Sequence, residues 1–146
     1  MRVAGKWLLC DDGFTRPVVR AQVLGASGQL HGDDFLVDSG ADRTVISAAL
    51  LSWLRLAATP QPQGTALMGI AGATDSVLVT TVLELTRDDG GPARVRGQYA
   101  AFTDPRATDL SVLGRDVLDN FDVILGRRRD EVLLLAPNHQ YVVSRT

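Results

Sequence analysis

Cysteine is almost absent from this 146-residue chain. Cys10 stands alone, which excludes an intrachain disulfide and a cysteine-based metal cage. Long apolar runs are missing too, and none approaches the ~20 residues that span a bilayer. The first apolar stretch, Trp7-Leu8-Leu9-Cys10, breaks at Asp11-Asp12 and is too short for a signal-peptide core. A cytoplasmic protein without a membrane partner is expected. Neither sign of charge dominates: a formal charge of −2 and a pI near 5.6 give no electrostatic reason to expect nucleic acid. The basic run Arg127-Arg128-Arg129 is followed at once by Asp130 and Glu131 and reads as a solvated turn. Histidine is scarce, and His31 with Asp33 and Asp34 has no specific ligand spacing. That cluster reads as a solvated hairpin bend, with no metal or cofactor implied.

What is present is an ordinary globular composition, 45% hydrophobic and 22% charged, at a length that suits one domain over residues 1–146. Apolar residues alternate or cluster in short runs bounded by Gly, Pro, Asp and Asn, the pattern of strands. Strands are expected near Trp7–Leu9, Pro17–Leu24, Asp34–Val37, Thr44–Ile46, Thr65–Met68 and Val77–Leu85, and again near Val95–Phe102, Val112–Leu113, Val123–Leu125, Val132–Leu135 and Tyr141–Val143. Two stretches read as helical: Ser47–Leu56, which opens on a capping residue, and Arg115–Phe121, which follows Gly114. The expected class is mainly β, a barrel or folded sheet with one or two short helices.

Three segments carry chemistry. Residues 35–46 place Asp38-Ser39-Gly40-Ala41 between two apolar runs. A half-buried carboxylate there is costly unless it is paired, hydrogen-bonded or used, and this is the only Asp-Ser-Gly in the chain. Thirty residues on, Leu67-Met68-Gly69-Ile70-Ala71-Gly72-Ala73 has strand-like flanks around a small-residue tip. It reads either as a plain hairpin turn or as a mobile cover pivoting on its glycines. Val112-Leu113-Gly114-Arg115-Asp116-Val117-Leu118 breaks a strand at a glycine and enters a short helix; its bland reading is a strand-turn-helix with exposed Arg and Asp.

In this order and spacing the three segments resemble the retropepsin-like aspartic proteases, the clan of retroviral and retrotransposon proteases with bacterial relatives. Leu36 to Thr44 matches the family's catalytic loop, Gly69 to Gly72 its flap tip, and Val112 to Leu118 its Leu-Gly-Arg segment. The resemblance spans about residues 16–125 and implies an acid-protease barrel with a flap hairpin. It implies Asp38 as the catalytic carboxylate, and Ser39, Gly40, Ala41 and Thr44 as support of the active-site loop. Asp42 and Arg115 fall at the family's structural ion pair, and Met68, Gly69, Ile70, Ala71 and Gly72 at the substrate-binding flap. Ala71 stands where glycine is usual, and the segment between Ile46 and the flap is longer than in the compact viral enzymes. The chain also runs on past its last helix, where a hairpin in place of the viral terminal strand is expected.

Hydrolysis by carboxylates needs two of them sharing a proton, and this chain supplies one matching Asp. The faint internal echo at residues 111–116 carries Leu113-Gly114-Arg115 where a two-lobed enzyme would carry a second Asp-Thr-Gly. The expectation is therefore a homodimeric aspartic endopeptidase acting on a peptide or protein substrate, with one Asp38 per subunit. The alternative of another class is the same fold as a catalytically weak or inactive peptide-binding or dimerisation module. An unrelated small β-barrel would need all three matches to be accidental. A subtilisin-like triad fails, because its His and Ser would have to follow the Asp in a much longer chain.

Overall fold

The computed structural model describes residues 1–61, 67–69, 72–74, 76–106 and 110–136, and for 67–69 and 72–74 the backbone alone. The expected strand at Tyr141–Val143 lies outside the described residues, as does the start of the one expected at Thr65–Met68. Period-2 burial organises the rest. Val19, Ala21 and Val23 point from one face of a long strand into the core, where they meet Phe35 and Val37. The strands are β1 (Arg2–Ala4), β2 (Lys6–Leu9), β3 (Thr15–Leu24), β4 (Leu30–Val37), β5 (Val45–Ile46), β6 (Ala58–Pro60), β7 (Leu67–Gly69), β8 (Gly72–Thr74), β9 (Ser76–Thr86), β10 (Pro92–Phe102), β11 (Ser111–Leu113), β12 (Asp122–Gly126) and β13 (Glu131–Leu135). The helices are α1 (Ala48–Leu54) and α2 (Arg115–Leu118), and a 3-10 turn covers Arg127–Arg129.

The main sheet runs β2-β3-β4-β11-β5-β10-β9-β6, and a further β3–β9 pairing closes it into a ring. Two tight hairpins carry it, β3–β4 and β9–β10, and their turns hold Gly28 and Gly90 at φ +83°, a conformation only glycine takes without strain. A second sheet, β1-β13-β12, lies beside it. The chain thus ends its described part in the expected hairpin, Asp122–Gly126 against Glu131–Leu135, and the N-terminal strand adds to that hairpin in the same molecule.

Both helices are shorter than their sequence signals. α1 is capped by Ser47, whose Oγ accepts from the Leu50 N–H at 3.2 Å, and stops where Arg55 turns left-handed at φ 52°. α2 closes after one turn. Strands β1 and β6 carry too few residues to show a period, so no pattern announced them.

The crossing that matters is local. β11 inserts between β4 and β5, parallel to the first through Ser111↔Phe35 and Leu113↔Val37, and antiparallel to the second through Val112↔Val45. The loop that joins β4 to β5 must therefore pass over the end of β11. That loop is residues 38–44.

Candidate active site

Asp38 follows the last core residue of β4 and is half-buried, while Ser39 and Gly40 are exposed. Its carboxylate is oriented from within its own loop: the Gly40 N–H donates to Oδ1 at 2.9 Å, and the Ala41 N–H donates to the Asp38 carbonyl at 3.2 Å. A Cβ on Gly40 would sit 3.1 Å from that same Oδ1, so a side chain there would press on the carboxylate. Among the described residues nothing donates to Oδ2, which leaves that oxygen free to accept or share a proton.

The underside of the loop is stitched to β11 and α2. The Asp38 N–H donates to the Leu113 carbonyl at 3.2 Å, the Arg115 N–H to Ala41 at 2.8 Å and the Asp116 N–H to Asp42 at 3.3 Å. The Arg115 guanidinium also pairs with the Asp42 carboxylate. The two residues that the family pattern offers as a structural ion pair are thus brought together, at an exposed position.

Thr44 is the buried centre of this arrangement. Its N–H and its hydroxyl both donate to Asp116 Oδ1, at 2.9 and 2.6 Å, while its Oγ1 accepts from the Gly114 N–H at 3.0 Å. Charge-assisted bonds of that length are the strong kind. Gly114 must be glycine for a steric reason: a Cβ would lie 2.3 Å from the Arg43 carbonyl carbon and 2.5 Å from its oxygen. Arg115 and Asp116 are both exposed, as the strand-turn-helix reading expects. One carboxylate oxygen of Asp116 nevertheless reaches back to hold the loop at residues 38–44, which the spacing within residues 112–118 gives no means of seeing.

The reading of Asp33 and Asp34 as a solvated bend is corrected, because both lie inside β4 and are partly buried. Asp33 Oδ2 accepts from the Ser111 hydroxyl at 2.8 Å and the Ser47 hydroxyl at 3.3 Å, and Ser111 Oγ accepts from the Ser47 N–H at 2.9 Å. This chain of bonds fixes β4, β11 and the start of α1 to one another. Asp34 lies on the outer face between Lys6 and Arg20, each 3.6 Å away.

Met68, Gly69 and Gly72 fall in a two-stranded hairpin whose register pairs Met68 with Ala73 and Gly69 with Gly72. Ile70 and Ala71, between those strands, lie outside the described residues. The hairpin expected from the sequence is present as backbone pairing.

A second hairpin, β2–β3, reaches the same end of the molecule. Leu8 pairs with Arg16, and Val18 with Leu36, so Arg16 stands two residues beyond Leu36, level with Asp38. Its turn is latched by Arg16, which donates to both oxygens of Asp12 at 2.8 and 2.6 Å. The side-chain hydrogen bond from Arg16, helped by the Phe14 N–H, draws the Asp12 carboxyl down to about 2. The latch therefore stays charged through mildly acidic pH.

A loop that aims one carboxylate outward, over a crossing of β4, β5 and β11, is the architecture the sequence pointed to. The aspartyl protease family model matches residues 19–117, which cover this crossing and most of the chain. The chain belongs to the aspartyl protease family. A retropepsin-like aspartic protease from Rickettsia conorii shares the fold at a TM-score of 0.54 and 14% identity, over 92% of this chain and 88% of that one. The EIAV protease, solved with the inhibitor HBY-793, matches at TM-score 0.47 and 21% identity over 71% and 86%. The retroviral protease-like domain of Ddi1 from Leishmania major matches at 0.47 and 13% over 87% and 99%. No curated protein matches the chain significantly. Among the described residues of this aspartyl protease family member, no helix is long and apolar enough to cross a membrane.

Proposed function

We propose that this chain is one half of an aspartic endopeptidase, active as a two-fold homodimer in which each subunit contributes one Asp38. The observation that carries the reading is the pinned loop. It orients Asp38 through Oδ1 and leaves Oδ2 without a donor from the described residues. Two such carboxylates facing across an axis share one proton, because like charges a few ångströms apart do not both ionise. One then takes a proton from the attacking water while the other gives one to the substrate carbonyl. The amide bond breaks as the leaving nitrogen is protonated. Ser39, exposed beside Asp38, supplies a hydroxyl for bonding across the axis. Gly40 and Ala41 leave room for the substrate backbone, and the β7–β8 hairpin is the cover the family resemblance implies, with Met68, Gly69, Ile70, Ala71 and Gly72 as its substrate-binding residues. Asp42, Thr44 and Arg115 hold the loop rather than react.

Cleavage of a peptide library from about pH 3 to about 7, with solution mass measured alongside, tests this. Wild type should cleave as a dimer, and Asp38→Asn should remain folded and dimeric while losing cleavage. Unchanged activity in Asp38→Asn sinks the mechanism. A dimer that binds peptides but cleaves none supports the binding-module reading instead.

A further inference from the structure

The basic run at 127–129 does not have the compensation its sequence suggests. Arg127, Arg128 and Arg129 form an exposed 3-10 turn at the tip of the β12–β13 hairpin. Their acidic neighbours form no ion pair with them. Asp130 turns left-handed at φ 56° and Glu131 enters β13, and among the described residues none of the three guanidiniums has an ion-pair partner. By contrast Arg2, Lys6, Arg16, Arg20, Arg87, Arg94, Arg106 and Arg115 all do.

The turn is also tied to Trp7. The Arg127 guanidinium lies 5.5 Å from the centre of the Trp7 ring, and the Trp7 indole N–H donates to the Glu131 carbonyl at 3.1 Å. Trp7 pairs with Pro17, one residue before the Val18↔Leu36 pair, so Trp7 is level with Val37. Two strand spacings separate them, about 10 Å. The basic turn thus stands at the same end of the sheet as Asp38, beyond Trp7. Arg43, exposed in the catalytic loop itself, likewise has no ion-pair partner among the described residues.

We propose that Arg127, Arg128 and Arg129 form an exosite for an acidic segment flanking the scissile bond of the substrate, so that the enzyme selects peptides carrying Asp or Glu on one side of the cleavage site. The proposal rests on the protease reading for its placement. Charge complementarity favours an acidic peptide over nucleic acid. Three guanidiniums fanned around a single 3-10 turn neutralise too few phosphates for useful affinity on a chain whose net charge is −2. A peptide already seated in the cleft, however, meets them as an intramolecular partner.

The test uses two fluorescent peptides with one shared core, a Glu-rich flank in one and a Gln-matched flank in the other. Binding is read by anisotropy on Asp38→Asn protein and cleavage by kcat/KM on wild type. The acidic flank should tighten binding and lower KM by roughly threefold to tenfold, with kcat little changed, and the advantage should shrink as salt is raised. Arg128→Gln/Arg129→Gln, which keeps the Arg127–Trp7 contact, should lose most of it while cleaving the neutral peptide as wild type does. Equal binding of the two peptides overturns the proposal, as does a preference that survives in the Arg127→Gln/Arg128→Gln/Arg129→Gln variant. A double variant that shifts the dimer dissociation constant without touching the peptide preference overturns it in favour of a subunit contact. Stronger competition by an oligonucleotide of equal charge overturns it in favour of a polyanion. If neither peptide is cleaved, the protease reading fails, while the binding preference in Asp38→Asn still decides the exosite.

Discussion

At the scale of single residues, Thr44 decides more than its position in the motif suggests. Its hydroxyl is at once a donor to Asp116 and an acceptor from Gly114, so one buried oxygen joins the far end of the 38–44 loop to the strand beneath it. Thr44→Val keeps the shape and removes that oxygen, leaving the Gly114 N–H buried without a partner. A loss of about 1–3 kcal/mol in urea unfolding is expected, with most of it recovered in Thr44→Ser. Activity should fall further than stability alone accounts for, because the loop that aims Asp38 loosens. Tyr99 makes a separate point. Desolvation first, and the negative charge of Asp116 second, push its hydroxyl up to about 12 from 10.0. The folded state therefore holds this proton more tightly than the unfolded chain. Its contribution to stability is intact below pH 10 and is lost as pH rises toward 12. Thermal melts across that range should show the decline in wild type and not in Tyr99→Phe. A wild type that melts at constant temperature through the window would contradict the assignment.

At the scale of elements, the crossing of β4, β11 and β5 concentrates the constraint. Gly114 lies where β11 ends beneath the loop, and a methyl there meets the Arg43 carbonyl well inside contact distance. That obstacle is backbone with no rotamer to yield, so Gly114→Ala should cost about 3 kcal/mol or more and displace the loop. Chemical denaturation and peptide cleavage should both register it. The element scale also shows what sequence patterning can see. Long strands such as β3, β9 and β10 show alternation because one face meets the core over many residues. Three-residue strands such as β1 and β6 complete the sheets by backbone pairing, which any residue except proline can donate to, and so leave no trace in side-chain pattern. β6 indeed ends in Pro60 at the sheet's edge, where a missing donor does no harm.

At the scale of the whole molecule, the proposed dimer makes activity a property of concentration. Specific activity should fall on dilution in parallel with the dimer fraction seen by sedimentation, whereas a self-sufficient monomer would show no such fall. Mixing also has a signature. Equal amounts of wild type and Asp38→Asn, exchanged to equilibrium, should leave about one quarter of the dimers with two intact carboxylates. Relative to pure wild type at the same total protein concentration, activity near one half would mean that each chain works alone, against about one quarter for the shared pair. The β1-β13-β12 sheet bears on this scale as well. Strands at both termini of the described chain pair with each other inside one molecule, so this sheet forms without a second subunit.

The sequence by itself determined the class of the fold, the place of the candidate carboxylate and the segments that would surround it. Those signals are local: alternation along a strand, a glycine at a break, a serine at a helix start, one Asp-Ser-Gly between apolar runs. Only the tertiary structure decided that Asp116 holds Thr44, that Asp33 is a bonded hub with Ser47 and Ser111 rather than a solvated bend, and that Arg127, Arg128 and Arg129 form no ion pair with their acidic neighbours. Each of those outcomes depends on where a polar atom is aimed across 72, 78 or 124 residues of chain. Direction across such a separation is set by strand register and close packing, and adjacency along the chain carries no record of it.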